Sequence, residues 1–163
     1  MNATAYLSSP VGPLGLTATD AGLSAVTFLD DRAPAPTALA DVPECLRPAH
    51  QQLRAYFGRE LQAFDLVYAP AFGTEFQRQV WAALTGIAYG HTASYLDVAR
   101  QLNNPKSVRA VGAANGQNPL AIVWPCHRVI GANGSLTGYA GGLHRKKWLL
   151  AFESPTPRGG LFG

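Results

Sequence analysis

The chain has 163 residues, of which 47% are hydrophobic and 14% charged. That length suits one large domain or two small ones, and that share of apolar side chains exceeds what a disordered chain carries. No apolar run approaches the ~18 residues of a membrane-spanning helix, and the first residues lack the basic-then-apolar pattern of a secretion signal. The net charge of +3 conceals an asymmetry, because residues 1–72 hold four Lys/Arg against seven Asp/Glu and residues 73–155 hold eight against three. A basic second half suits an anionic polymer such as DNA, and a solvated basic face would have the same composition. The two cysteines, Cys45 and Cys126, lie far apart in sequence and read as reduced thiols in a cytoplasmic protein.

In chain order, Thr4–Ser8 and Leu14–Thr19 read as short strands joined through Pro10-Val11-Gly12-Pro13. Alternation of Leu14, Leu16 and Ala18 with Gly15 and Thr17 is the strand period. Asp20-Ala21-Gly22 is a turn before a third strand, Leu23–Leu29. Residues 30–43 read as a loop, Glu44–Phe57 as a helix stopped by Gly58, and Phe64–Tyr68 as one more strand. This half predicts a small α+β domain with an antiparallel sheet and no recognisable chemistry, in which Cys45 is an incidental or packing residue.

From Gly73 the pattern turns helical. Thr74 and Gln77 have capping-box spacing, Phe76, Val80 and Leu84 recur every four residues, and Gly86 ends the helix. Ser94 and Asp97 cap a second helix, Tyr95–Leu102, which Asn103-Asn104-Pro105 breaks. A third helix runs over about Lys106–Ala114, so the pair has the shape of a helix-turn-helix. The predicted organisation is therefore α+β: a domain over 1–72, a mostly helical domain over 73–155 and a flexible tail over 156–163. On the third helix Arg109 shares a face with Gly112, Ala113 and Gly116, while Val108 and Val111 point elsewhere. A nearly bare face with one long cation lets a duplex approach closely. Lys106, Arg128, Arg145 and Lys146 are candidates for phosphate contacts.

The chemistry concentrates in Pro125-Cys126-His127-Arg128-Val129. Proline restricts the backbone before the sulfur, and the basic side chains after it favour thiolate over thiol. The apolar run Leu120–Trp124 places the sulfur at the edge of a core. Glu153 falls four residues after Leu149 on an apolar helical stripe, where it is either a carboxylate turned inward and in need of a partner or, equally, a surface residue at a fraying helix end.

The whole stretch from Asn118 to Ile130 resembles the active-site signature of the O6-alkylguanine-DNA alkyltransferases. Gly73-Thr74-Glu75-Phe76-Gln77, Ile87–Tyr95, Arg109-Ala110-Val111-Gly112, Gly138–Gly142, Lys147–Leu150 and Glu153 follow in that family's order. The resemblance implies irreversible transfer of an alkyl group from guanine O6 in duplex DNA to Cys126, once per molecule, by a monomer with no cofactor and no metal. O4-alkylthymine is a second candidate substrate. It implies a water between Cys126 and His127, with Glu153 holding the far side of the imidazole and Tyr95 donating toward guanine N3. Asn118 braces the segment between recognition helix and cysteine. That helix lies in the minor groove, with Arg109 replacing the extruded nucleotide and Ser94, Tyr95, Lys106, Ala110, Gly112, Ala113 and Arg128 at the DNA. Val129, Tyr139, Ala140 and Trp124 border the base, residues 139–142 forming a lid. Three other readings are a lesion binder without the acceptor cysteine, a Cys-His-Glu hydrolase, and a plain helix-turn-helix regulator. Cys126 argues against the first, and the last would not need an activated thiol.

Overall fold

The computed structural model describes residues 2–136 and 138–155, so the expected tail over 156–163 lies outside the described residues. The chain forms two compact units, the first comprising residues up to Phe72 together with Pro119–Val123, the second Gly73–Asn118 and the chain from Trp124 on.

The first unit is built on an antiparallel sheet of β1 (Ala3–Leu7), β2 (Leu14–Thr19) and β3 (Gly22–Phe28), in that order. Alternation sets its inner face: Ala5 and Leu7, Leu14, Leu16 and Ala18, then Leu23 and Val26 are buried. The helix expected from Glu44 opens as a 3-10 turn, Glu44–Leu46, before α1 (Arg47–Phe57) begins with Pro48 in its first turn. Leu46, Ala49, Leu53 and Tyr56 are its buried stripe. Phe64–Tyr68 is not a strand; only an isolated bridge joins Leu23 to Tyr68. Cys45 is exposed rather than packed.

Pro119–Val123, a segment the sequence places in the second domain, belongs to the first unit. Val26 donates to the Pro119 carbonyl at 2.9 Å and accepts from Ala121 at 3.1 Å. This pairing satisfies backbone groups and buries Leu120, Ala121, Ile122 and Val123. Ile122 has φ +71°, and Val123 N donates to Ala121 O at 2.8 Å, closing a γ-turn of the rare hand. Such a conformation is an outlier for a β-branched residue.

The second unit starts with α2 (Glu75–Leu84), capped reciprocally by Thr74 and Gln77. Gly73 just ahead has φ +134°, and a Cβ there would lie 2.6 Å from the Trp81 ring. β4 (Ala93–Ser94) then leads into α3 (Tyr95–Gln101), capped by Ser94 and Asp97. A 3-10 turn, Pro105–Ser107, replaces the first turn of the expected third helix, and α4 runs over Val108–Gly116. A second 3-10 turn, Cys126–Arg128, feeds β5 (Val129–Ile130), which pairs in parallel with β4. The chain then reaches α5 (Leu143–Glu153). The core joins Val80, Trp81 and Leu84 of α2 to Val98 and Ala99 of α3, Val111 and Ala114 of α4, and Cys126 and Val129. Among the described residues no helix is long and apolar enough to cross a membrane.

Trp81 is fully buried, stacks on Trp124 at 5.8 Å, and its Nε1–H donates to the Ala114 carbonyl at 2.9 Å, tying α2 to the end of α4. Trp81→Phe keeps most of the ring but removes the indole donor, leaving the Ala114 carbonyl only the Gln117 N–H at 3.1 Å. Urea unfolding should show the loss of one hydrogen bond, about 0.5–1.5 kcal/mol, with an unchanged m-value.

Candidate active site

Cys126 heads its 3-10 turn because the preceding residue is proline. Pro125 (φ −79°, ψ 65°) adopts an inverse γ-turn, closed by Cys126 N donating to Trp124 O at 2.7 Å. The Asn118 amide donates to the same Trp124 carbonyl at 2.8 Å. Asn115, inside α4, donates through Nδ2 to the Cys126 carbonyl at 3.3 Å. The Cys126 backbone is thus held from both sides.

The next two residues of the turn share one carboxylate. His127 Nε2 lies 2.8 Å from Glu153 Oε2. Arg128 Nε donates to Glu153 Oε1 at 2.7 Å and a terminal guanidinium nitrogen to Oε2 at 3.1 Å. The other terminal nitrogen donates to the Ile87 carbonyl at 2.7 Å, and the guanidinium stands 5.7 Å from the centre of the Tyr89 ring. Gly90 (φ +80°) lets the loop pass the helix end, since a Cβ there would lie 3.2 Å from the Glu153 carbonyl oxygen. The charge pattern predicts Arg128 and Lys146 on a phosphate-binding surface. The structure buries both: Arg128 is drawn in by the Glu153 carboxylate, and Lys146 sits on the buried stripe of α5 with Leu149, Leu150 and Glu153. The Lys146 ammonium lies 5.9 Å from the ring centres of both Tyr95 and Tyr139.

These surroundings set the ionisation. Burial pushes the Cys126 thiol above its ordinary range, while the polar groups of Asn118 and Tyr139 and the Lys146 charge pull it back. Burial lowers the His127 imidazole, against the attraction of Glu153, so the neutral ring is favoured. Glu153 is opposed by burial, but His127 and Arg128 outweigh that and hold it at about 2. An ionised Glu153 accepts the Nε2–H tautomer of His127, leaving Nδ1 as the free base of the ring. Nδ1 is buried and has no hydrogen-bond partner among the described residues.

The other expected residues fall into two groups. Val129 is buried, Tyr95, Trp124 and Tyr139 are partly buried, and Ala140 is exposed. Arg109, Ala110 and Ala113 are exposed on α4, with Lys106 exposed in the turn before it. Gly112 is half-buried against the Tyr95 ring, and nothing stands within 4 Å of a Cβ built on Gly116. Ser94 is occupied in capping α3. Sequence reasoning missed Asn115, and an asparagine inside a helix of small residues is the signal that could have found it.

Two family models match: the DNA-binding domain of 6-O-methylguanine DNA methyltransferase over residues 75–155, and that protein's ribonuclease-like domain over residues 3–69. A methylated-DNA–protein-cysteine methyltransferase of Methanosarcina acetivorans is 49% identical over 151 residues, covering 91% of this chain and 96% of that protein. The chain belongs to the 6-O-methylguanine DNA methyltransferase family. A similarly named protein of Mycolicibacterium paratuberculosis is 49% identical over 148 residues, 90% of this chain and 89% of its own length. A crystal structure of Mycobacterium tuberculosis OGT in complex with DNA superposes with a TM-score of 0.81 at 44% identity, covering 98% of this chain and 99% of that one.

The carboxylate yields a pH prediction. Glu153 is depressed from 4.5 to about 2, so its stabilising contribution is complete above about pH 4.5 and is lost as pH falls toward about 2. Glu153→Gln should flatten that part of the acid-unfolding curve, measured as urea midpoints at successive pH values.

Proposed function

We propose that this protein repairs DNA by moving the alkyl group of O6-alkylguanine onto Cys126, and the observation that carries the reading is the buried thiol beside the His127–Glu153 pair. The thiol proton passes through a water to His127 Nδ1, while Nε2–H stays on Glu153. The thiolate sulfur attacks the alkyl carbon in line with the C–O6 bond. The S–C bond forms as the C–O6 bond breaks, and the electron pair leaves with guanine. Tyr95 supplies a proton at guanine N3, which makes the base a better leaving group. The buried charges Arg128, Lys146 and Glu153 sum to +1, and moving the proton from Cys126 to His127 leaves the net charge of the site unchanged. The thioether has no route back, so each molecule reacts once.

α3 and α4 serve as the helix-turn-helix, with α4 in the minor groove. The exposed small residues of α4 allow close approach, and Arg109 fills the gap left when the lesion is extruded. Exposed Lys106 contacts phosphate. Residues 139–142 cover the base, whose edge is read by backbone groups near Val129 and Ala140. Trp124, stacked on Trp81, packs the core side of the pocket. The protein works as a cytoplasmic monomer, residues 73–155 carrying the reaction.

The test is intact mass after incubation with duplex DNA containing O6-methylguanine. One added methyl group, mapped to Cys126, is expected. Cys126→Ala should gain none and keep its DNA affinity; methyl transfer by that variant, or repeated turnover by the parent, would sink the reading.

Arg109→Ala separates flipping from chemistry. Unstacking a base costs a few kcal/mol, and the arginine offsets part of that. Single-turnover rates should fall most on a paired duplex, less on a mismatched one, and hardly at all on free O6-benzylguanine. Equal losses on all three would place Arg109 in the fold instead.

A further inference from the structure

Asn115 is 2% exposed on α4, in a helix otherwise made there of small and apolar residues. A buried amide needs partners for both ends. Its Nδ2 has one, the Cys126 carbonyl at 3.3 Å, but its Oδ1 has none among the described residues. His127 Nδ1 is another buried acceptor in that position, and it belongs to the residue that follows the same carbonyl. Two acceptors therefore border the Cys126–His127 peptide, one on either residue's account, and each calls for a donor. A water has two protons to give and lone pairs to accept with, so a single molecule placed between the two atoms can donate to both and still receive the thiol S–H.

We propose that Asn115 is a positioning residue for the proton relay at Cys126: Nδ2 holds the nucleophile's carbonyl, and Oδ1 anchors the water that carries the thiol proton to His127. The inference rests on the reading of Cys126 as alkyl acceptor. The step is a proton transfer only. The Cys126 proton goes to the water, a water proton goes to Nδ1, and thiol plus imidazole become thiolate plus imidazolium. The groups facing the relay are Cys126, His127 with Glu153 and Arg128 behind it, and Lys146 between Tyr95 and Tyr139. Asn115 adds to these a neutral anchor that keeps its orientation at every pH. It stands on the helix whose exposed face carries Arg109, Ala113 and Gly116. Its neighbour Ala114 is fixed by the Trp81 indole.

The test is Asn115→Leu, close in size but without either polar end. Single-turnover rates with free O6-benzylguanine are measured from mildly acid pH to well above the ordinary range of a thiol. The variant should be about tenfold slower at neutral pH and recover at high pH, its profile displaced upward by about one unit. Duplex affinity should not change. A purely structural asparagine would lower the melting temperature without displacing the profile, so a folded variant with the parent's profile overturns the proposal. Should the variant not fold, a crystal structure of the parent decides. A water within hydrogen-bond distance of both Asn115 Oδ1 and His127 Nδ1 supports the proposal, and the absence of a shared water overturns it. A parent protein that takes no benzyl group overturns the acceptor reading and this inference together, whereas an active parent beside an unaltered variant overturns the inference alone.

Discussion

Glu153 is a carboxylate at the wrong end of a helix. The last turn of α5 carries the negative pole of the helix dipole, which repels an anion, and the side chain is buried besides. Its ionisation is tolerated because two consecutive residues of one short turn, His127 and Arg128, reach it together. One electrostatic demand thereby fixes three things: the end of α5 against the cysteine turn, the tautomer of the imidazole, and the placement of Cys126 immediately before both partners. Removing one member of such a buried pair strands the other, a loss of about 3–5 kcal/mol. The Ile87 carbonyl and the Tyr89 ring complete the surroundings of the guanidinium, so the charge pair also sets the loop that precedes β4.

Placing the reactive sulfur in an apolar core has two opposed effects. Packing against Val80, Trp81, Val111 and Val129 gives it one position. The same packing raises its pKa, which disfavours the thiolate. The polar groups around it oppose that penalty in different ways. Asn118 and Tyr139 beside the sulfur act against the shift, and Lys146 contributes charge from near two aromatic rings. Because the cations are themselves buried, little solvent screens them, and they act more strongly than they would at a surface.

The approach to Cys126 is made of unusual backbone. Two γ-turns, centred on Ile122 and Pro125, lie within five residues of each other. The first holds a β-branched residue in left-handed conformation, at a cost of order 1–3 kcal/mol that persists only where the surroundings over-determine it. They do: the flanking backbone is hydrogen-bonded to Val26, and Leu120 through Val123 are all buried. The proline at the second turn needs no strain, because its φ is already near the required value. The segment leaves and rejoins the second unit at Asn118 and Trp124, and the Asn118 amide closes that gap with one hydrogen bond.

Features set by short-range chemistry were legible in the chain itself. The capping boxes at Thr74 and Ser94 place the starts of α2 and α3, because cap and partner lie three residues apart. Alternation of apolar residues places β2, and Pro-Cys-His-Arg marks the nucleophile. The stripe of Leu149 and Leu150 left Glu153 evenly placed between an inward carboxylate and a surface residue at a helix end, and the structure buries it against His127 and Arg128. What could not be read is whatever depends on which distant atoms arrive together. Phe64–Tyr68 has strand-like composition, yet it finds only a single bridge to Leu23. Pro119–Val123 is ordinary apolar sequence until Val26 captures it. Charge counting sends Arg128 and Lys146 to the surface, because composition records a cation but not the carboxylate or aromatic rings that meet it. The residue types of the site were therefore determined by the sequence alone. Which charges are desolvated was decided by tertiary packing, because desolvation belongs to a place in the fold and not to a residue.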